Sequence, residues 1–139
     1  MPDDDDWRAR RSEATAAQAD ALARRQAAEH DAARRLLADF VAEAGRRGVA
    51  PVPLRARSYD GRYRYRTPLQ GWYLRRNESV AVSTAGDFYV LSAPGSLRAL
   101  LRGVEPEPTD PPLVLGRGAR DGESVDLAEA LRAVLARET

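Results

Sequence analysis

Arginine and tyrosine alternate over residues 62–66, which read Arg-Tyr-Arg-Tyr-Arg. Guanidinium groups bind phosphate and carboxylate through paired N–H donors, and tyrosine rings can stack on nucleic-acid bases. Successive side chains of a β-strand point to opposite faces, so a strand here places Arg62, Arg64 and Arg66 on one face and the tyrosines on the other. The pattern is compatible with an anion-binding or nucleic-acid-binding site. It is also compatible with tyrosines in the core and arginines in water.

Positive charge is concentrated around this pattern. Residues 55–76 carry a net charge of +6, whereas residues 1–54 carry −1 and residues 77–139 carry −4, which leaves +1 for the whole chain. All 22 basic residues are arginine, so an arginine cluster is weaker evidence for a phosphate site in this chain than in most. The total charge of only +1 and the exclusive use of arginine both favour the interpretation with tyrosines in the core. If an anion does bind, the candidate contacts are Arg62, Arg64, Arg66, Arg75 and Arg76, joined by Arg55 and Arg57.

Residues that commonly carry out catalysis are scarce in this chain. There is no cysteine, which excludes disulfides, thiolate metal sites and a cysteine nucleophile, and the one histidine, His30, lies between two acidic residues. The glycine-rich stretch 116–122 has the spacing G-x-G-x-x-x-G, which matches neither a dinucleotide-binding loop nor a P-loop, and favours a tight structural loop. We therefore predict a protein that is not an enzyme and that holds no metal or cofactor. An enzyme using carboxylates within 121–126 remains a remote alternative.

The N-terminal third of the chain has the composition of one long helix. Alanine, arginine, glutamate and glutamine dominate, and no glycine or proline occurs between residues 3 and 44. We predict an acidic, disordered tail over residues 1–11 and a helix over residues 12–47, with an apolar stripe that includes Leu37 and Phe40. A helix of about 40 residues is ~60 Å long, whereas a compact chain of this size is under ~40 Å across. The front half must extend beyond the domain, fold back at a break, or contact a partner.

Alanines on this helix are the candidates for contact with such a partner. Ala14, Ala21 and Ala28 follow Trp7 at intervals of seven residues, as one seam of a coiled coil would. The second seam is polar, which favours a solvated helix over a dimer. We keep a protein partner, or a second copy of this chain, as the expected ligand of the helix.

The remaining residues, 48–139, have the pattern of a compact α+β region. Strands are predicted at 62–66, 70–76, 79–84 and 88–92, and a short strand at 113–115. Ser96 and Gly103 bound a short helix with Leu97, Leu100 and Leu101 on one face, and a final helix follows Asp126. The predicted fold class is α+β, with a long N-terminal helix packed on a three- to four-stranded antiparallel sheet and two shorter C-terminal helices.

These features predict a non-enzymatic protein-interaction or accessory module. The alternative is nucleic-acid or anionic-ligand binding through residues 55–76, which the modest net charge makes the weaker of the two. No apolar run is long enough to cross a membrane, and the acidic start does not resemble a signal peptide. We therefore expect a cytoplasmic protein without membrane contacts.

Overall fold

The structure, a computed structural model, describes residues 4–116 and 123–137. Its elements in chain order are α1 (Asp4–Arg47), β1 (Val52–Ser58), β2 (Arg64–Tyr73), β3 (Val80–Ser83), β4 (Phe88–Val90), β5 (Ser92–Ala93), α2 (Leu97–Arg102), β6 (Val114–Leu115), β7 (Val125–Asp126) and α3 (Leu127–Arg137). The predicted α+β class is confirmed, because α1 packs on a mostly antiparallel sheet that shorter C-terminal helices follow. The main sheet has five strands rather than three or four.

Helix α1 begins earlier than the sequence predicts. Its first turn contains Asp4, Asp5 and Asp6, so the acidic segment expected to form a disordered tail is helical from Asp4 onward. Acidic side chains near a helix N-terminus interact favourably with the helix dipole. Residues 1–3 lie outside the described residues. The helix ends as predicted before Gly48, whose φ of 73° suits a glycine.

The second half of α1 supplies one side of the main core. Ala33, Leu37, Phe40 and Ala44 are buried at spacings of four, three and four residues, as the predicted stripe requires. The Phe40 ring meets the Trp72 ring edge-on, with centroids 5.4 Å apart. The indole N–H of Trp72 is satisfied by a backbone carbonyl 3.2 Å away. The apolar face of α1 therefore packs on β2, as expected.

The main sheet closes on itself. Its strand order is β4-β3-β2-β1-β5, and a single residue, Leu91, separates β4 from β5. This continuous segment therefore pairs with β3 through β4 and with β1 through β5, the latter in parallel. Two backbone bonds of Leu91 mark the closure, since its N–H donates to Ser79 at 2.8 Å and its carbonyl accepts from Arg57 at 3.0 Å. The result is a small barrel.

Closure divides the apolar residues into two clusters. The smaller cluster consists of Leu54, Ala56, Ala81, Tyr89 and Leu91. The larger cluster joins the sheet residues Trp72, Val82 and Phe88 to buried residues of α1 and α3. Neighbouring residues of one strand contact different clusters, as the alternation of side chains along a strand requires. The larger cluster contains Trp72, Val82 and Phe88, and the smaller one is contacted by their strand neighbours Tyr73, Ala81 and Tyr89. The smaller cluster therefore fills the inside of the barrel, and the helices cover part of its outside.

Strand β2 spans two segments that the sequence predicted as separate strands. Pro68 lies within it, between the two predicted segments. The pairing of β1 with β2 shifts register between Pro53 and Arg55, opposite the stretch that contains Pro68. A proline is tolerated where the ladder is interrupted, because no N–H is needed there. The Thr67 hydroxyl bonds to the Leu54 carbonyl at 2.6 Å and replaces part of the ladder.

The C-terminal third contains the predicted short helices and a two-stranded sheet, β6–β7. The final helix begins directly after Asp126, as predicted, and buries Leu127, Leu131 and Val134. The predicted glycine-rich loop falls mainly on residues 117–122, outside the described part of the chain. Within the described part, no helix combines the length and apolar character needed to span a membrane.

Candidate interaction surface

Four arginines lie opposite one another on β1 and β2. The strand register pairs Arg55 with Arg66 and Arg57 with Arg64. Directly paired residues share a face, so the four form a patch about 7 Å by 5 Å at their Cα and Cβ positions. We call this patch the arginine face. Like charges placed directly opposite each other destabilise a sheet, so the fold itself does not account for the arrangement.

One carboxylate partly balances the arginine face. Glu78 accepts hydrogen bonds from Arg64 at 2.7 Å and from Arg57 at 3.4 Å. Arg66 donates to the backbone carbonyl of Leu101 at 2.8 Å, a contact that removes no charge. Among the described residues, no other acidic side chain forms an ion pair with these four arginines. Three positive charges therefore remain for an external anion.

The tyrosines of the Arg-Tyr-Arg-Tyr-Arg stretch are on the other side of the strand. Tyr65 is fully buried. Its hydroxyl donates to the Pro94 carbonyl at 3.1 Å and accepts the Ser96 N–H at 2.8 Å. Tyr63 is half-buried, with its ring stacked on Tyr65 at 6.4 Å. As strand alternation predicted, the arginines and the tyrosines lie on different faces. They therefore do not form one surface that could bind phosphate and stack bases together.

The remaining predicted contacts lie elsewhere. Arg62 is in the β1–β2 turn rather than in a strand. There, hydrogen bonds from the Ser58 hydroxyl and the Arg62 backbone N–H lower the pKa of Asp60. Arg75 and Arg76 line a groove of about 660 Å³ between the β2–β3 turn and α3. Arg75 also donates to the Glu123 carbonyl at 3.2 Å, two residues before β7.

Helix α2 presents an apolar face to solvent. Leu97, Leu100 and Leu101 are 71, 42 and 78% exposed, and no residue of α2 is buried. Their spacing places them together on one side of the helix. We call them the leucine patch. The sequence predicted the helix and its apolar side correctly, but that side is exposed.

Polar contacts, rather than apolar burial, hold α2 in place. The Ser96 hydroxyl caps the helix by accepting the Ala99 N–H, and Gly103 ends it with a φ of 80°. A helix of six residues is not stable alone. The Tyr65 hydroxyl bonds to its start, and Arg66 bonds to its end through Leu101. The arginine face and the leucine patch are therefore contiguous.

The first 25 described residues of α1 form the protruding segment, residues 4–28. Ala21 is half-buried, and the other side chains of the segment, including those of Ala14 and Ala28, are exposed. Trp7 and Leu22 are its large apolar residues, at 58% and 50% exposure. Of the three alternatives for the front half of the helix, extension beyond the domain is the one that the structure shows.

Helix α1 first meets the rest of the chain through polar side chains near its midpoint. His30 bonds through Nδ1 to the Pro111 carbonyl at 2.8 Å, which requires that Nδ1 carry the proton. Glu29 accepts the Leu113 N–H at 3.3 Å. His30 is therefore half-buried, and nothing in the sequence of residues 104–112 indicates that this segment returns to the helix. Within the described residues, no cluster of three or more potential metal ligands occurs.

Comparison with known proteins identifies no similar family, protein or structure. No protein-family model matches the chain, and neither a curated protein nor a solved structure matches it. The arginine face and the leucine patch are therefore the features from which a function can be proposed.

Proposed function

We propose that this protein is a non-enzymatic interaction module that binds a protein segment carrying both acidic and apolar side chains. The observation that carries the proposal is the exposure of three leucines on a helix fixed beside an arginine face that one carboxylate only partly balances. An exposed apolar patch with a charged border is typical of a protein-binding site.

The composition of the surface indicates the chemistry of the partner. Burying one exposed leucine contributes about 1.5–3 kcal/mol, so Leu97 and Leu101 can supply most of the affinity. Guanidinium groups at the border favour carboxylates, which they bind in paired hydrogen bonds. An acidic segment with at least one large apolar side chain would satisfy both parts.

A second candidate function is the binding of a polyanion such as nucleic acid. The cross-strand pairing of Arg55 with Arg66 and of Arg57 with Arg64 supports it. Single-strand binders also need accessible aromatic rings beside the charges, whereas Tyr65 is buried on the opposite face and the exposed Tyr59 lies in the β1–β2 turn, outside the paired arginines. The protein partner is therefore the better-supported candidate. Binding to oligonucleotides that weakens steeply with salt would favour the second candidate instead.

The leading proposal is tested by comparing binding partners of matched variants. Leu97→Gln/Leu101→Gln removes the two most exposed side chains of the leucine patch, and Leu22→Gln makes the same chemical change at one position of the protruding segment. Each variant is used to recover partners from the cells that produce the protein, after circular dichroism has verified its fold. We expect Leu97→Gln/Leu101→Gln to reduce recovery of the main partner at least tenfold, and Leu22→Gln to leave it within twofold. Equal recovery by all three proteins would refute the proposal.

A further inference from the structure

The first turn of α1 carries the chemistry that the arginine face and the leucine patch would recognise. Asp4, Asp5 and Asp6 precede Trp7, which is 58% exposed and has the Arg11 guanidinium 5.1 Å from its ring centroid. Asp6 lies 4.0 Å from Arg10, and both side chains are more than 70% exposed, so solvent screens this pair. The turn thus combines acidic charge with a large apolar ring.

The two surfaces are complementary in charge and in size. One helical turn is about 5.4 Å long, close to the dimensions of the arginine face. Successive side chains of a helix project about 100° apart, so two neighbouring carboxylates of the turn can face the three positive charges that Glu78 leaves uncompensated. The Trp7 ring would then lie on the leucine patch, because Arg66 and Leu101 join the patch to the arginines.

The turn cannot reach the arginine face of its own chain. Ala33 is the first buried residue of α1, 29 residues after Asp4, which is about 44 Å along the helix axis. No glycine or proline interrupts this length, so nothing in the sequence favours a bend. The occupant must come from another molecule.

We propose that the occupant is a second copy of this chain, in a reciprocal dimer. The acidic first turn and Trp7 of each copy dock on the arginine face and leucine patch of the other. The two protruding segments then run antiparallel, and Ala14, Ala21 and Ala28 are small enough to let them approach closely. In a dimer with two-fold symmetry, the first turn of each copy contacts the arginine face and leucine patch of the other. Both contacts then form, and no docking surface is left for a third copy. This inference rests on the proposed function, since it names the partner of the same surface.

Sedimentation velocity of the full chain tests the inference. Loading at 5–500 µM in 20 mM and 500 mM salt should give a concentration-dependent dimer whose dissociation constant rises at least tenfold in high salt. Asp4→Asn/Asp5→Asn/Asp6→Asn removes the acidic half of the contact. Arg55→Glu/Arg57→Gln neutralises the arginine face and leaves Arg66 bonded to α2. Each variant alone should associate at least tenfold more weakly.

Mixing the two variants distinguishes docking from a general loss of association. Each variant keeps the half that the other lacks, so a 1:1 mixture regains one of the two contacts and should form a heterodimer. A wild type that stays monomeric at 500 µM in low salt would overturn the inference, as would a dimer unaffected by the aspartate substitutions or a mixture that stays monomeric. If a foreign partner is still recovered through Leu97 and Leu101, the self-association inference fails while the proposed function stands. If the chain neither self-associates nor recovers a foreign partner through these leucines, the inference and the proposed function are both refuted.

Discussion

The substitution Arg55→Glu should stabilise the protein while weakening its interaction. Arg55 lies directly opposite Arg66, and its side chain has no ion pair among the described residues, so the change removes repulsion without breaking a contact. Opposite charges paired across strands contribute roughly 0.2–1 kcal/mol, and like charges cost a similar amount. Both side chains are exposed and partly screened, so we expect a net gain of about 0.5–1 kcal/mol.

Urea denaturation at 20 mM and 500 mM salt measures this gain. The stabilisation should shrink in high salt, because the charges are at the surface. Arg55→Gln is the matched control, since it removes the repulsion without adding an attraction, and about half of the gain should remain. A loss of more than about 0.5 kcal/mol in Arg55→Glu would refute the argument that the arginine face is costly to the fold. The pairing of Arg55 with Arg66 would then have to be explained as an arrangement that stabilises the sheet.

Three further predictions concern the structure that supports this surface. Tyr65→Phe leaves two backbone groups without their partner, so it should cost about 1–2 kcal/mol in urea denaturation and speed amide exchange over residues 96–103. Gly71→Ala drives a methyl group into the Val82 carbonyl and should cost at least about 2 kcal/mol, whereas Gly45→Ala, with open space around it, should gain roughly 0.5–1 kcal/mol in the same assay. Burial, with the nearby Asp87 carboxylate, raises the pKa of Tyr89 above its ordinary value of 10.0. The stability that the neutral Tyr89 hydroxyl contributes should therefore be present in full below pH 10 and be lost as the pH rises through the folded pKa, and a Tyr89→Phe variant that lost as much stability as wild type above pH 10 would contradict this.

The parts of the fold that depend on local sequence were predictable. The stripe that includes Leu37 and Phe40 follows the helical period, and Ser96 and Gly103 marked both ends of α2 through their capping chemistry. These signals arise from residues within a few positions of each other. They required no knowledge of the rest of the chain.

The parts that depend on distant pairing were not predictable. Nothing in residues 88–93 indicates that the segment pairs with β3 and β1 at once, yet this closure gives the barrel its shape. Register alone brings Arg55 opposite Arg66, eleven residues away, and a slip of one residue would place them on different faces. The leucines of α2 had the pattern of a buried face. Their exposure follows from the polar contacts of Tyr65 and Arg66, which no periodicity reveals.

The most direct test of the account maps where the partner binds. Amide hydrogen exchange would be measured on the protein alone and in complex with its partner, whether a foreign protein or a second copy. The account predicts slower exchange in α2 and in the paired parts of β1 and β2 that carry the arginine face. Slower exchange confined to residues 9–28, or to the groove beside α3, would show that the partner binds elsewhere and would contradict the account.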